Sequence, residues 1–361
     1  MIRTLYQSIA KPIFFQFDPE WIHEAILHTM PLLRPLKPII QSQFSLPDAR
    51  LQQEIWGLNF RSPIGLAGGF DKNARCVNLW DAFGFSFFEI GTVTPKPQPG
   101  NPKPRLFRYP IREALINRMG FNNDGSEAIA ARLGGLAGLP HRALMGVSLG
   151  KQFDTPVDDL ERVVNDYRLS LQRLHAYGDF FVVNVSSPNT KNLRELQQKG
   201  SLQAILKALK NELQILAPNQ KPKPLCVKFA PDLSDEQIHE AVDAALECEI
   251  DGFIATNTTN QTGESEGGGL SGKPLRQRAT AVVKGIAQAT ESKVPIIGCG
   301  GIFDAADAIE KFEAGAWALQ IYTGFVYRGP GVVYDINRGI LNEIEKRGYS
   351  HLSDFRIDSK N

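Results

Sequence analysis

FFVVNVSSPNT, residues 180–190, opens on four apolar residues in a row and closes on a polar bend. Phe180, Phe181, Val182 and Val183 are aromatic or β-branched, and a run that is apolar on successive residues offers an oily face to both sides of a sheet. That is the mark of a strand in a parallel sheet covered by helices. Asn184 then ends the run, and Ser186, Ser187, Pro188 and Asn189 are residues that suit chain reversal. Taken alone the bend is a turn.

The same unit recurs along the chain. Strands are expected over Pro63–Ala67, Phe87–Thr92, Ala143–Leu149, Phe180–Val185, Leu225–Ala230, Gly252–Thr256, Pro295–Gly298 and Trp317–Tyr322. Helical patterns lie between or after them, over Asn73–Phe83, Val157–Tyr177, Ala204–Leu216, Asp235–Cys248, Gln277–Ala289, Ala305–Glu313 and Val333–Lys346. Ser234 with Gln237 makes a capping box, and Pro156 sits where a first-turn proline is tolerated. Eight strands, each followed by a helix, close most economically into a (β/α)8 TIM barrel. A doubly wound sheet is the rival, but the first strand is followed by AGGFDK and no GxGxxG.

A barrel sorts its polar residues to the C-terminal ends of its strands, where the site lies. Lys72, Thr92, Ser148, Asn184, Lys228, Asn257 with Thr258, Gly300 with Gly301, and Tyr322 with Thr323 end or follow the eight runs in turn.

Composition narrows the class of function. Forty Lys plus Arg balance thirty-nine Asp plus Glu, so no global field favours nucleic acid. The four cysteines, Cys76, Cys226, Cys248 and Cys299, are scattered without a CxxC pair, which argues against a zinc site and a disulfide framework. No apolar run reaches the roughly 18 residues of a membrane span, and no signal-peptide pattern opens the chain. The expectation is a protein kept on the cytoplasmic side.

The first 45 residues differ from the rest. Ile2, Leu5, Tyr6, Ile9 and Ile13 recur at helical spacing, and Ile22, Ile26, Met30 and Leu33 follow a cap at Asp18 and Pro19. Two apolar-faced helices result. They suit either a plug on the barrel's bottom or flank, or a membrane-surface foot and apolar entrance, given Phe14, Phe15, Phe17 and Trp21.

Three features carry chemistry. IIGCGGI (296–302) and YTGF (322–325) place small-residue turns after strands seven and eight, where barrels hold phosphate. Lys228 stands inside the apolar run LCVKFA, where an ammonium must be paired, snorkelling or functional. Asn117, Asn122, Asn123, Asn184, Asn189 and Asn257 suit a planar ligand edged with carbonyl and N–H groups, because an amide both donates and accepts. The residues alone leave open a barrel aldolase or isomerase using Lys228 as a Schiff base, an enzyme in which Lys228 is a cation held against developing negative charge, and a non-catalytic phosphate binder.

GLAGGFDKN, EIGTVTPKPQPGNPKPRLFR, INRMGFNN, NVSSPNT, IATNTT, GGLSGKPL, PIIGCGGI and QIYTGF together resemble the dihydroorotate dehydrogenases, in particular their membrane-associated, quinone-dependent class. The likeness runs in order from about Phe17 to near residue 340. It implies an FMN-carrying barrel that oxidises dihydroorotate to orotate in pyrimidine synthesis and is reoxidised by a membrane quinone. It implies that Ser187 is the catalytic base, with Thr190 and Phe121 in its proton relay. Flavin contacts would come from Gly68, Gly69, Lys72, Thr92, Ser148, Asn184, Lys228, Thr256, Gly272, Gly301, Tyr322 and Thr323. Substrate contacts would come from Lys72, Asn117, Arg118, Met119, Gly120, Phe121, Asn184, Asn189, Asn257 and Thr258. His23 and Arg108 match quinone-site positions, residues 259–274 match part of a lid, and no metal is implied. Ser148 stands where the family usually has Asn, which shortens one amide contact.

The resemblance moves the N-terminal helices toward the membrane-surface reading. The expected organisation is a quinone-associated helical segment (1–45), a barrel binding FMN and dihydroorotate (46–350) and a tail (351–361). A monomer held peripherally on the cytoplasmic face of the cell membrane is expected.

Overall fold

The computed structural model describes residues 5–136 and 143–358. Ile2 and the last three residues of the tail lie outside them. Eight parallel strands form a closed barrel: β1 (Ile64–Asp71), β2 (Phe87–Val93), β3 (Leu144–Leu149), β4 (Phe180–Asn184), β5 (Leu225–Phe229), β6 (Gly252–Ala255), β7 (Ile296–Cys299) and β8 (Ala318–Ile321). Each strand pairs with the next in sequence and β8 closes on β1. These are the eight runs expected, with ends shifted by a residue or two, or by four at the end of β1.

Alternation along the strands builds the interior in layers. Phe87, Val182, Cys226, Ile254, Ile297 and Ala318 fill the lower barrel and are fully buried. Below them an antiparallel hairpin, Gln53–Ile55 with Leu58–Phe60, inserts Ile55 and Phe60, whose ring meets Phe87 at 5.1 Å in an edge-on contact. That hairpin, not the N-terminal helices, supplies the plug. Two residues further along the same strand faces the layer turns polar: Glu89, Asn184, Lys228 and Gln320. The chemistry begins there.

Ser234 and Gln237 form the reciprocal capping box and Asp18 caps its helix, as the sequence implies, and Asp304 accepts from the Asp307 amide at its helix entry. The helix expected over Val157–Tyr177 runs instead over Leu160–Leu174, because Asp159 caps it and Pro156 lies ahead of its first turn.

Two parts of the fold differ from expectation. Asn73–Phe83 is not a helix; only Trp80–Phe83 forms a short 3-10 turn. Asp71 is the cause, since its carboxylate accepts from the amides of Arg75 (2.8 Å) and Cys76 (2.8 Å) and from Trp80 Nε1 (3.1 Å), holding the chain in a local turn. The connection after β2 instead carries a three-stranded antiparallel sheet, and the helix Ser126–Gly135 follows. Leu106–Tyr109 pairs with Ala114–Asn117, which pairs with Gly269–Gly272 from the connection after β6. This small sheet roofs the barrel mouth, and its last strand occupies the end of the segment expected as lid.

The N-terminal helix Pro19–Thr29 packs on that roof and on the mouth. Glu20, buried, forms a bidentate pair with Arg105 (2.8–3.2 Å), and Tyr6 donates to the Val326 carbonyl (2.6 Å). Among the described residues no helix is long and apolar enough to cross a membrane.

Candidate functional site

A cavity of about 120 Å³ opens at the C-terminal ends of the strands, beneath the roof. Gly68, Gly69, Lys72, Thr92, Asn117, Met119, Gly120, Phe121, Asn184, Ser187, Asn189, Lys228, Asn257, Thr258 and Tyr322 all line it. Segments more than two hundred residues apart therefore meet at one rim.

The amides lock one another. Asn184 Nδ2 donates to Thr92 Oγ1 (2.7 Å), and Asn257 Nδ2 donates to Ser186 Oγ (3.0 Å), which donates to Asn184 Oδ1 (3.0 Å). Across the mouth Asn189 Nδ2 donates to Asn117 Oδ1 (2.9 Å). The bend 184–190 is thus more than a turn, because it aims amides and hydroxyls inward from β4. Ser187 is 7% exposed, and its Oγ accepts from the Asn189 amide (3.2 Å), leaving its own proton free to leave or to be shared. Thr190 Oγ1 is buried without a hydrogen-bond partner, which is costly unless a ligand or water satisfies it.

Charge is equally ordered. Lys228 Nζ stands 3.5 Å from Glu89 Oε1, both side chains almost fully buried, and Gln320 Nε2 donates to the other carboxylate oxygen (2.9 Å). Glu89 and Gln320 escaped the sequence reading. A carboxylate inside the apolar run FFEIGTV carries the same signal as Lys228 inside LCVKFA and was there to be found. Lys72, 8% exposed, has its pKa lowered to about 8 by burial, which Glu24 and Glu20 only partly offset.

The other expected positions sit around the cavity. Ser148 is fully buried behind Thr92, 3.0 Å from its hydroxyl, and reaches the cavity only through it. Thr256 turns its hydroxyl onto the Asn257 carbonyl (2.8 Å). Arg118 points away, donating to the Pro104 carbonyl and lying over the Phe107 ring, so its side chain is not a cavity group. Gly272 ends the roof strand Gly269–Gly272, Gly301 lies in the turn after β7, and Thr323 opens the helix Thr323–Arg328. Thr323 Oγ1 meets Ser271 Oγ at 2.8 Å, and Gly301 has φ +74° with a Cβ there only 2.4 Å from the Arg276 Cα. Only glycine fits that turn.

A second cavity, about 520 Å³ and mainly apolar, lies between the N-terminal helices and the roof. Phe14, Phe15, Ile22, Ile26, Met30, Leu33, Phe325 and Val326 line it, together with His23 and Arg108. Leu106, Leu115 and Tyr322 line both cavities and form the partition. His23 Nε2 lies 2.8 Å from the Phe70 carbonyl, which can only accept, so the neutral ring carries its proton there and leaves Nδ1 as an acceptor. Burial and then the charge of Lys72 press its pKa down to about 3. Arg108 donates to the Phe17 carbonyl (2.8 Å) and lies over the Phe15 ring.

With the geometry in hand, similarity to known proteins gives it a family. The profile described as dihydroorotate dehydrogenase matches residues 50–344. "Dihydroorotate dehydrogenase (quinone)" of Christiangramia forsetii is 47% identical over 353 residues, covering 94% of this chain and 99% of that one. The protein of that name from Thermosynechococcus vestitus is 46% identical, covering 93% and 96%. Among solved structures, DHODH from Eimeria tenella in complex with ferulenol superposes with a TM-score of 0.83 at 36% identity, covering 95% of this chain and 97% of that one. Its ligand-free form gives 0.80 at 38% identity, covering 94% and 98%. The sequence motifs, the barrel and the full-length similarity agree, and the chain belongs to the dihydroorotate dehydrogenase family.

Proposed function

We propose that this chain oxidises dihydroorotate to orotate and passes the electrons through bound FMN to a quinone, in pyrimidine biosynthesis. The observation that carries this reading is the partition: a polar cavity rich in amides and an apolar cavity share one wall, a single layer made of three side chains. Two chemically opposite substrates then have separate entrances to one redox centre.

The residues suit FMN. Lys228 supplies a fixed cation at the cavity floor, the unpartnered Gln320 Oε1 awaits a donor, and the turn after β7 bares the backbone amides of Gly300 and Gly301 ahead of a helix N-terminus. Gly68, Gly69, Thr92, Asn184, Thr256, Gly272 and Tyr322 complete the set assigned to it. When bound, FMN accepts hydride in one half-reaction and yields electrons in the other.

The remaining work falls to side chains of the chain. Lys72, with Asn117, Asn189, Asn257 and Thr258, holds the carboxylate and the ring edges of dihydroorotate, helped by the backbone of residues 118–121. Ser187 takes the proton from C5. A hydroxyl is a weak base near neutral pH, so the proton must be handed on, and the unsatisfied Thr190 Oγ1 is the first stop, with Phe121 the other member of the relay. His23 Nδ1 and Arg108 present an acceptor and a donor to the quinone head.

The N-terminal segment serves as a peripheral foot. Leu5, Ile9, Ile13, Phe17, Trp21, Leu32, Leu36 and Ile39 are all large, apolar and about half exposed or more, and they flank the mouth of the apolar cavity. A membrane surface on the cytoplasmic side would cover them and deliver the quinone. Residues 1–45, 46–350 and 351–361 then act as foot, catalytic barrel and tail of a monomer.

The reading is tested by steady-state kinetics with dihydroorotate and a short-chain quinone. Parallel double-reciprocal lines with orotate formed are expected; orotate formation that ignores the quinone would contradict it.

A further inference from the structure

Arg194 lies in the 3-10 turn Leu193–Gln197, outside the ring of cavity residues. Its guanidinium nevertheless joins three parts of the site. Nε donates to the Ser186 carbonyl (3.0 Å), Nη2 to the Thr258 carbonyl (2.9 Å) and Nη1 to Asp232 Oδ2 (2.6 Å). Asp232 in turn accepts from Thr259 Oγ1 and from the Asn260 amide (3.2 Å). Gln197 secures the turn from below, accepting from the Ala230 amide (3.1 Å) and donating to the Arg194 carbonyl (3.3 Å).

The geometry has a specific consequence. The Ser186 carbonyl belongs to the peptide that leads into Ser187, so fixing that oxygen fixes the plane from which the Ser187 side chain departs. Pro188 on the other side biases Ser187 toward extended backbone. A planar fork with donors in fixed directions suits this task, and a flexible ammonium does not reproduce all of it. The same fork holds the Thr258 peptide, and through Asp232 it holds the root of the 259–274 segment. Both ion-pair partners are mostly buried, at 21% and 13% side-chain exposure, so the contact is shielded from salt.

We propose that Arg194, tied by Asp232, is a positioning residue for proton removal: it sets the Ser187 hydroxyl against the substrate held by Asn257 and Thr258. The inference rests on Ser187 being the base. It concerns the step in which dihydroorotate loses its proton and not the step in which quinone is reduced.

The test is anaerobic stopped-flow bleaching of the flavin by saturating dihydroorotate, followed separately by reoxidation with quinone. Arg194→Ala is expected to slow the limiting bleaching rate about 10- to 100-fold, the loss that matches charged hydrogen bonds of roughly 1.5–3 kcal/mol. Flavin content and the reoxidation rate should stay at wild-type values. Millimolar guanidinium should restore part of the lost rate by filling the vacated space, and Arg194→Lys should fall between. Equal losses in both half-reactions, or no recovery with guanidinium or lysine, would assign Arg194 a merely structural role and overturn the proposal.

Should Arg194→Ala not fold, Asp232→Asn provides the second arm. It loosens the fork without emptying the site and is expected to slow bleaching several-fold, whereas a wild-type rate overturns the proposal. Ser187→Ala is run beside both. If it bleaches at the wild-type rate, the base assignment and the proposal fail together; if it is slow while Arg194→Ala is not, only the proposal fails.

Discussion

Lys228 Nζ and Glu89 Oε1 stand 3.5 Å apart at the floor of the polar cavity, on β5 and β2, with side-chain exposures of 6% and 1%. Pairing offsets the burial cost of both groups, and removing one partner leaves the other buried and unpaired. Lys228→Met should therefore cost stability, about 3–5 kcal/mol as is usual for a broken buried pair. Lys228→Met with Glu89→Gln should recover much of that loss and still lack tight flavin binding. Thermal melts and flavin content of the two variants check this; a double variant as unstable as the single one would contradict it.

Ser187→Ala should leave flavin bound and slow its reduction by dihydroorotate about 10²- to 10⁴-fold, the usual contribution of a positioned base. Reoxidation by quinone should be unaffected. Rapid mixing of each half-reaction separates the two effects.

Lys72 gives a pH dependence whose sign follows from its burial. Its pKa is lowered to about 8, so in the free enzyme the ammonium that meets the substrate carboxylate is present below pH 8 and lost above it. kcat/KM for dihydroorotate, which reports the free enzyme, should fall through that pH. Lys72→Met should be slow throughout and lose this limb. On stability the sign is opposite: the unfolded chain holds the proton more tightly, so this group's contribution rises from about pH 8 to the ordinary lysine pKa. A profile for Lys72→Met that keeps the basic limb would reassign it.

How much of this was legible beforehand depended on how local the cause was. The eight barrel strands were readable because each is a short apolar run bounded by its own turn. Asn184 and Lys228 stood out because polar groups at or near strand ends break that pattern, whereas Ser187 in its bend reads as part of a turn until the family resemblance marks it. The roof was not, since Ala114–Asn117 is only four residues long and its partner Gly269–Gly272, some 150 residues away, is half glycine and carries no strand pattern of its own. Asn73–Phe83 has helical periodicity, but Asp71 takes the amides that would start the helix. Asp232 and Arg194 gave no signal because both sit in connecting segments and act on backbone carbonyls or amides, which no side-chain pattern records.

His23 should not titrate in the working range. Its pKa is pushed to about 3, so kcat/KM for quinone should be flat between pH 5 and 7.5 as far as this ring is concerned. Ile26→Trp, placed in the apolar cavity, should raise the KM for quinone severalfold and leave dihydroorotate bleaching unchanged. A bleaching rate that falls in step would mean that the two cavities are not separate entrances.

Trp21→Ser with Leu32→Ser removes two of the most exposed apolar side chains of the foot, 57% and 77% accessible. Co-sedimentation with lipid vesicles should drop at least tenfold, since burying each such side chain is worth roughly 1.5–3 kcal/mol. Turnover with a water-soluble quinone should be retained.

The most direct measurement is anaerobic titration of the purified, yellow protein with dihydroorotate, followed by a quinone in one cuvette and NAD in another. Bleaching by dihydroorotate and recovery of colour with the quinone alone is the expected result. A protein that carries no flavin, that dihydroorotate does not bleach, or that NAD reoxidises as fast as quinone would contradict two entrances serving one redox centre.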